Sequence, residues 1–392
     1  MRFSSTVHSA RENNKLTKSD LNHFCWHSTH IFTIMKDTNH NYPSKGEIHM
    51  VRVNNQIILA ERPQGMPDSR TFDFVQKDMD DIKDGQILIK TLYVSVDPYM
   101  RGRMENVESY VEPFKLNDVI GGASIGEVIE SKSDQFEIGD VVTGDFGWQT
   151  FYAAGENEVR QIDPSIAPVT ANLHLLGMTG LTAYFGLQDI GKPKEGETVV
   201  ISGAAGAVGS TVGQIAKIKG ARVVGIAGSE EKISFLKDEL NFDEGINYKT
   251  SNDIKADLKK ACPDGVDVYF DNVGGDISDA VMTQLNKYAR IPVCGAISSY
   301  NMEEQDTGPR VQQTLIKKSA LMQGFIVGNY SDRFTEGAEQ LGQWLQEGRL
   351  TYQETIREGF ENIPEAFLDL FRGKNIGKLL VKVSEREYGN HK

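Results

Sequence analysis

Two patterns of apolar and polar positions divide the chain. Between Met50 and about Ala171 the apolar residues fall in short β-type runs broken by Gly, Pro and Asp, such as Gln86 to Val96 and Ile138 to Val142. That pattern predicts a strand-rich, barrel-like domain. From about Met178 onward, strand-length apolar runs alternate with amphipathic helical stretches, the signature of a parallel sheet with crossover helices. The predicted strands are Thr198 to Ser202, Arg222 to Ala227, Gly245 to Tyr248, Val266 to Asp271, Arg290 to Ile297 and Leu321 to Val327. Six strands suit a doubly wound dinucleotide fold. A helix over Phe334 to Gln346 sets Ala338, Leu341, Trp344 and Leu345 on one face, with Gly348 past its end. In the tail, Pro364 opens a short helix, Gly373 ends it, and the run Leu379 to Val383 reads as a strand rejoining the first domain. The expected organisation is an N-terminal extension (1–49), a β-rich domain (50–175), a nucleotide domain (176–346) and a C-terminal return (347–392).

The first 49 residues belong to neither pattern. They show no sustained period and no apolar core or small-residue cleavage site of a secretory signal. Six of the eight histidines lie there, and His23, Cys25, His27 and His30 place four metal-type donors in eight residues. No supporting carboxylate stands nearby, which favours incidental composition. Lys45-Gly46-Glu47 can be encoded by a purine-rich stretch just upstream of Met50, so Met50 is the expected working start.

Composition narrows the function classes. With 392 residues the chain is long enough for two or three domains and their cores. Its formal net charge of −13 argues against a nucleic-acid binder, which needs clustered Lys and Arg. No window approaches about 18 uninterrupted apolar residues, so no membrane span is expected. Cys25, Cys262 and Cys294 form neither a disulfide framework nor a paired zinc pattern, and a reducing cytoplasm is the expected location.

The stretch with the most chemistry runs from Val199 to Ser210. An apolar strand enters a turn of small residues, after which Val208, Val212, Ile215 and Ala216 recur at helical spacing. A pyrophosphate reaches backbone N–H groups at a helix N-terminus only where side chains are absent or tiny. Gly203, Gly206 and Gly209, spaced three apart, meet that need with a strand before and a helix after. The next strand discriminates between cofactors. An NAD site places an Asp or Glu about 20 residues past the glycines. Here the strand ends in Gly228-Ser229, with Lys232 one turn later, which favours the 2′-phosphate of NADP. Glu230 and Glu231 as ribose acceptors are the rival reading.

With these residues in hand the chain resembles the medium-chain dehydrogenase/reductases, and among them the zinc-free prostaglandin reductase and leukotriene hydroxydehydrogenase family of alkenal/one oxidoreductases. The resemblance runs from about Val94 to Val383. It is carried by Asp97-Pro98-Tyr99-Met100-Arg101, the run Gly177 to Tyr184, the Gly203 to Gly209 turn, Asn247-Tyr248-Lys249, the run Asp271 to Gly275, the run Gly295 to Asn301 and the run Asn375 to Lys378. It implies a GroES-like first domain completed by the C-terminal tail, with the cofactor between the domains. It also implies pyrophosphate contacts at Gly206, Ala207, Val208 and Gly209, and 2′-phosphate contacts at Lys232 and Tyr248. Asn272, Cys294, Gly295, Ala296, Ile297, Ser298, Ser299, Tyr300, Phe325, Ile326, Val327 and Asn375 would then line the ribose and nicotinamide. For Cys294, a buried thiol with only its backbone near the cofactor is expected.

Zinc-dependent relatives carry a Gly-His-Glu run, whereas the matching stretch here is Gly121 to Glu127 and no Cys or His occurs from Met50 to Gln161. Alcohol oxidation would lack its usual Lewis acid, but a conjugated double bond does not need one. The expected reaction is NADPH-dependent reduction of an α,β-unsaturated ketone or aldehyde, with hydride to the β-carbon and protonation at the α-carbon. Tyr300 is the expected donor to the carbonyl oxygen, with Tyr99 and Arg101 as a fallback pair. Phe146, Trp148, Tyr152 and Tyr330 are candidate pocket residues. A quinone reductase of the same superfamily and a non-catalytic NADP sensor are the competing readings. Relatives pair through a sheet edge, which would make Leu321 to Val327 the strand of a homodimer.

Overall fold

The β-type runs of the first half pair antiparallel. In the computed structural model, which describes residues 52–165 and 167–388, β1 (Val53–Leu59) and β2 (Phe72–Asp78) form a two-stranded sheet. The run His23–His30 lies outside the described residues. β3 (Gln86–Ser95), β4 (Ser124–Ser131), β5 (Val141–Gly144), β6 (Phe151–Gly155) and β7 (Val159–Ile162) make up most of a seven-stranded sheet. β3 pairs with both β4 and β6, and its mainly buried side chains match that central place. The short α1 (Met100–Arg103) follows β3. The strand expected from Ile138 starts later, at Val141. Gly139 takes a φ of +95° and the Asp140 carboxylate accepts the Glu137 amide, so a turn occupies those positions.

The second half begins with α2 (Met178–Phe185) and builds one parallel sheet. Its strands are β8 (Thr198–Ser202), β9 (Arg222–Ala227), β10 (Glu244–Asn247), β11 (Val266–Phe270), β12 (Leu285–Val293) and β13 (Leu321–Gly324), in the order β10-β9-β8-β11-β12-β13. Between them run α3 (Ala207–Ile218), α4 (Glu230–Ser234), α5 (Ile254–Ala261), α6 (Gly275–Met282) and α7 (Gln312–Lys318). Val199, Val200 and Ile201 of β8 and Val268, Tyr269 and Phe270 of β11 are fully buried, so each strand presents apolar residues to both faces. The strand order reverses between β8 and β11, which opens a crevice at their carboxyl ends.

Two expected strands end early. β12 stops at Val293, because the amides of Cys294 and Gly295 both donate to the Asp271 carbonyl instead of continuing the ladder. Cys294 to Ile297 therefore form a loop over the crevice. β13 stops at Gly324, leaving Phe325 to Val327 past the sheet edge, where a turn over Val327–Arg333 begins.

α8 (Phe334–Gln346) packs Leu341 and Trp344 inward and ends before Gly348, whose φ is +68°. The chain then adds β14 (Glu354–Glu358), which the apolar pattern did not predict, α9 (Ile363–Arg372) and β15 (Lys378–Lys382). β15 pairs antiparallel with β3, setting Leu380 opposite Ser95, so the tail completes the β-rich lobe. Phe367 of α9 packs on Trp148, with ring centroids 5.8 Å apart. Among the described residues, no helix is long and apolar enough to cross a membrane.

Candidate functional site at the crevice between the lobes

β8 delivers the chain into a turn of small residues, Gly203 to Gly206. Gly203 adopts a φ of +59°, and the Gly206 amide donates to its carbonyl at 3.0 Å. Gly206 caps α3 with extended backbone. The first helical bond is made by Ser210 to Gly206, so the amides of Ala207, Val208 and Gly209 precede it and point from the helix start. A Cβ on Gly209 would lie 2.5 Å from the Gly203 carbonyl oxygen and 2.8 Å from the Ala204 Cα, so the register admits only glycine.

The C-terminal return closes on this turn. The Gly377 amide donates to the Ala205 carbonyl at 2.8 Å, and Asn375 Nδ2 donates to the Gly377 carbonyl at 2.8 Å. Beneath it His174, fully buried, sets Nε2 3.4 Å from the Ala207 carbonyl, while its Nδ1 has no partner among the described residues. Burial, reinforced by the Lys378 ammonium, lowers its pKa to about 3.

A second corner lies past β9. Ser229 caps α4, its hydroxyl accepting from the Lys232 amide. Lys232 Nζ donates to the Gly373 carbonyl at 2.8 Å, at the end of α9. Tyr248 and Lys249 cover Gly228: a Cβ there would lie 3.0 Å from the Tyr248 ring and 3.2 Å from the Lys249 Cε. Burial first, then the Lys249 ammonium, pushes the Lys232 pKa down. Two cations therefore face one small volume. Glu230 does not compete for it, because its carboxylate accepts from Asn247 Nδ2 at 2.6 Å and from the Thr250 hydroxyl at 3.3 Å. A cavity of about 540 Å³ adjoins Tyr248, between Ser251–Lys255 and Asp276. Lys249 was missed as a site residue; the turn in which Thr250 and Ser251 amides bond back to Asn247 folds it over Gly228, and only tertiary structure fixes that turn.

Across the switch point, Asp271 ties the strand ends together. Its buried carboxylate accepts from the hydroxyls of Ser202 (3.0 Å) and Tyr269 (2.8 Å) and from the amides of Val273 and Gly274. Asn272 donates from Nδ2 to the Ser202 carbonyl at 2.8 Å. The loop after β12 folds over this hub: Ile297 and Ser298 amides reach the Asn272 and Val273 carbonyls, and the Ser299 hydroxyl reaches that of Ala296. Tyr300 bends back so that its hydroxyl accepts the Ala296 amide at 3.2 Å and would lie 3.2 Å from a Cβ on Gly295. The hydroxyl makes no donation among the described residues, and its proton is uncommitted. Burial raises the phenol pKa, with the Ala296 amide opposing.

Cys294 is half-buried against the core of the nucleotide lobe, and burial, with Asp271 adding, pushes its thiol up to about 12. Phe325 turns its ring into the same core beside Phe270 and Gly186, so it offers the crevice backbone only. Ile326 and Val327 follow it into the turn. The remaining neighbour of Tyr300 comes from the other lobe. Tyr110 is exposed on the 105–113 loop, and its phenol is raised by partial burial and then by Tyr300 and Cys294. Nothing in its local sequence marks it.

Two candidate pocket residues are corrected. Phe146 and Trp148 are buried in the β-rich lobe, Phe146 stacking on Tyr152 at 5.5 Å, so neither lines a pocket. Tyr330 stacks on Phe185 at 4.7 Å. The Arg101 guanidinium points into protein, bonded to Gly65, Glu105 and Asn301. In the stretch matching the zinc-ligand run, Glu127 is wholly buried and accepts from Arg386 and from the amides of Glu387 and Tyr388. Among the described residues no three His, Cys, Asp or Glu side chains cluster as metal ligands.

Comparison with known proteins adds to this geometry. Residues 55–162 match the family described as N-terminal domain of oxidoreductase, and residues 207–343 match that described as zinc-binding dehydrogenase. A Bacillus subtilis protein whose name places it among NADP-dependent oxidoreductases is 65% identical over 338 residues, covering 86% of this chain and 99% of its own. The NADPH-dependent curcumin reductase of Escherichia coli is 43% identical over 337 residues, covering 84% and 97%. The crystal structure of CurA in complex with NADPH from Vibrio vulnificus superposes with a TM-score of 0.80 at 44% identity, covering 84% and 99%.

Proposed function

Because the chain belongs to the medium-chain dehydrogenase/reductase family, we propose that it is an NADP-dependent reductase of the carbon–carbon double bond of α,β-unsaturated ketones and aldehydes. One observation carries this reading. A glycine- and alanine-built turn, a corner with two lysines and a tyrosine hydroxyl with an uncommitted proton all follow the carboxyl ends of strands of one parallel sheet.

The residues fit a phosphorylated dinucleotide. Gly206 to Gly209 would hold the pyrophosphate on backbone amides, Lys232, Tyr248 and Lys249 the 2′-phosphate, and Asn272, Asn375 and the loops 294–300 and 325–327 the ribose and nicotinamide. Bound there, NADPH would supply hydride to the substrate β-carbon, and solvent would supply the proton to the α-carbon. Tyr300 donates its proton to a hydrogen bond with the substrate carbonyl, stabilising the developing oxyanion; its raised pKa keeps it protonated at neutral pH. Tyr110 covers the substrate from the opposite lobe. The reaction runs without zinc, since no thiol or imidazole is present from Met50 to Gln161 to ligate it.

The same reading assigns residues 50–175 with 347–392 to the substrate lobe and 176–346 to the nucleotide lobe. It pairs two copies along β13, one of the two edge strands of the parallel sheet, where Leu321 and, on the preceding helix, Ile316 are exposed. Free Cys262 and Cys294 suit a reducing cytoplasm.

The test is steady-state NADPH oxidation with 3-nonen-2-one, 2-hexenal and a benzoquinone, with NADH as control. The expected result is turnover of the enone and enal with NADPH preferred. Turnover of the quinone alone would make it a quinone reductase, and tight NADPH binding without turnover a sensor.

A further inference from the structure

Beyond Tyr300 the chain leaves the crevice, and residues 302–310 are exposed and neither helix nor strand. Among the described residues, both hydrogen bonds that join residues 296–311 to the β-rich lobe are made by one side chain. Asn301 accepts from Arg101 Nε at 3.0 Å through Oδ1, and donates from Nδ2 to Met66 Sδ at 3.3 Å. Arg101 is 1% exposed, and every nitrogen of its guanidinium is engaged. Nη1 donates to Glu105 at 2.9 Å, Nη2 to the carbonyls of Gly65 (2.9 Å) and Pro63 (3.5 Å), and Nε is shared between Gly65 and Asn301. A guanidinium this buried holds one geometry, because any lost partner leaves a charge-bearing donor unsatisfied. The lobes touch at this point: a Cβ on Gly65, whose φ is +67°, would lie 2.9 Å from the Glu303 carboxylate and 3.6 Å from the Asn301 carbonyl.

We propose that Arg101 and Asn301 form a latch between the lobes that positions Tyr300. Tyr300 is held on one side by the Ala296 amide and on the other through Asn301, so the first lobe, which also carries Tyr110, fixes where its hydroxyl stands. Arg101 and Asn301 are positioning residues that touch neither substrate nor cofactor. The inference rests on the reading of Tyr300 as the oxyanion donor.

The test compares kcat for 3-nonen-2-one at saturating NADPH in wild type, Asn301→Ala, Tyr300→Phe and the double variant, with the NADPH Kd followed by nicotinamide fluorescence. Asn301→Ala is expected to lose about 10-fold in kcat with Kd unchanged, since a misplaced group costs rate rather than cofactor affinity. In the Tyr300→Phe background the same change should cost less than about 2-fold, because there is no hydroxyl left to misplace. Asn301→Asp, which keeps an acceptor for Arg101, should stay within about 2-fold of wild type. An equal loss in both backgrounds, or full activity of Asn301→Ala while Tyr300→Phe is impaired, would overturn the latch alone. Wild-type kcat in Tyr300→Phe would overturn the role of Tyr300 and the latch with it.

Discussion

On the proposed reading, the groups that face the nucleotide are mainly backbone: three amides at the start of α3, a turn in which Gly209 leaves no room for a Cβ, and the Asp271 hub that fixes the strand ends. At the substrate end they are side chains carried on loops from both lobes: Tyr300 beyond β12, Tyr110 on the 105–113 loop, and Arg101 and Asn301 bridging the two. The first end depends on a register within one βα unit. The second depends on how two lobes meet. Chemistry should therefore be lost most steeply at the substrate end, and cofactor affinity at the nucleotide end.

The largest effect expected is Tyr300→Phe. Removing one donor to a developing oxyanion typically costs 10²–10³ in kcat, so a loss of about 100-fold is expected while the NADPH Kd stays within about 2-fold. A variant that loses cofactor affinity instead would erase the contrast between the two ends. Next comes Gly209→Ala. Its Cβ would press on the backbone at Gly203 and Ala204, neither of which can swing away like a flexible side chain. Overpacking of that kind costs about 1–3 kcal/mol, and an NADPH Kd raised tens-fold with kcat at saturation little changed is the expected result in a titration.

How much of each end was legible follows from the same contrast. The strands β8, β9 and β11 could be read almost to the residue, because strands buried on both faces are continuous apolar runs. The turn Gly203 to Gly209 was legible because its signal is a run of small residues with glycine at every third position. The opening of β12 was not, since Asn286, Lys287 and Tyr288 are polar or surface-facing and break the apolar run. Phe146 and Trp148 look like pocket aromatics in sequence, but the connection between β5 and β6, which turns at Gly147 with a φ of +73°, sends both into the lobe's own core. Tyr110 sits in an unremarkable local context, and Lys249 and Asn301, though they lie in runs that carry the family resemblance, meet Lys232 and Arg101 only after folding.

The nucleotide end also carries a pH signature. His174 has a folded-state pKa of about 3, below the unfolded value near 6.5. The unfolded chain therefore binds more protons below about 6.5, so this stability is fully present above that pH and is lost as pH falls toward 3. Each unit in that window is worth about 1.4 kcal/mol, which amounts to about 2 kcal/mol by pH 5. Denaturant melts of wild type and His174→Gln at pH 7 and pH 5 check this. The wild type should lose more stability between the two, and parallel losses would mean that His174 is not the buried neutral group under α3 that its geometry describes.

The smallest effect expected lies at Lys249, and it sharpens the comparison because it separates charge from backbone within the nucleotide end itself. On the proposed reading the turn Gly206 to Gly209 would meet a pyrophosphate that NADH and NADPH share, so no change there should alter the preference between them. Lys249 lies over Gly228 beside Lys232, and Glu230, the nearest acidic competitor, is held by Asn247 and Thr250. A charge-assisted contact to a phosphate is worth about 1.5 kcal/mol or slightly more, so Lys249→Met should lower the ratio of kcat/KM for NADPH over NADH by about 10-fold, entirely through NADPH. Lys232→Ala should lower the same ratio by a similar factor, and added salt should narrow both differences because the corner is partly open to solvent. If Lys249→Met instead weakens both coenzymes equally, the side chain supports the cavity beside Tyr248 and not the phosphate corner. The selectivity of this end would then rest on Lys232 and Tyr248 alone.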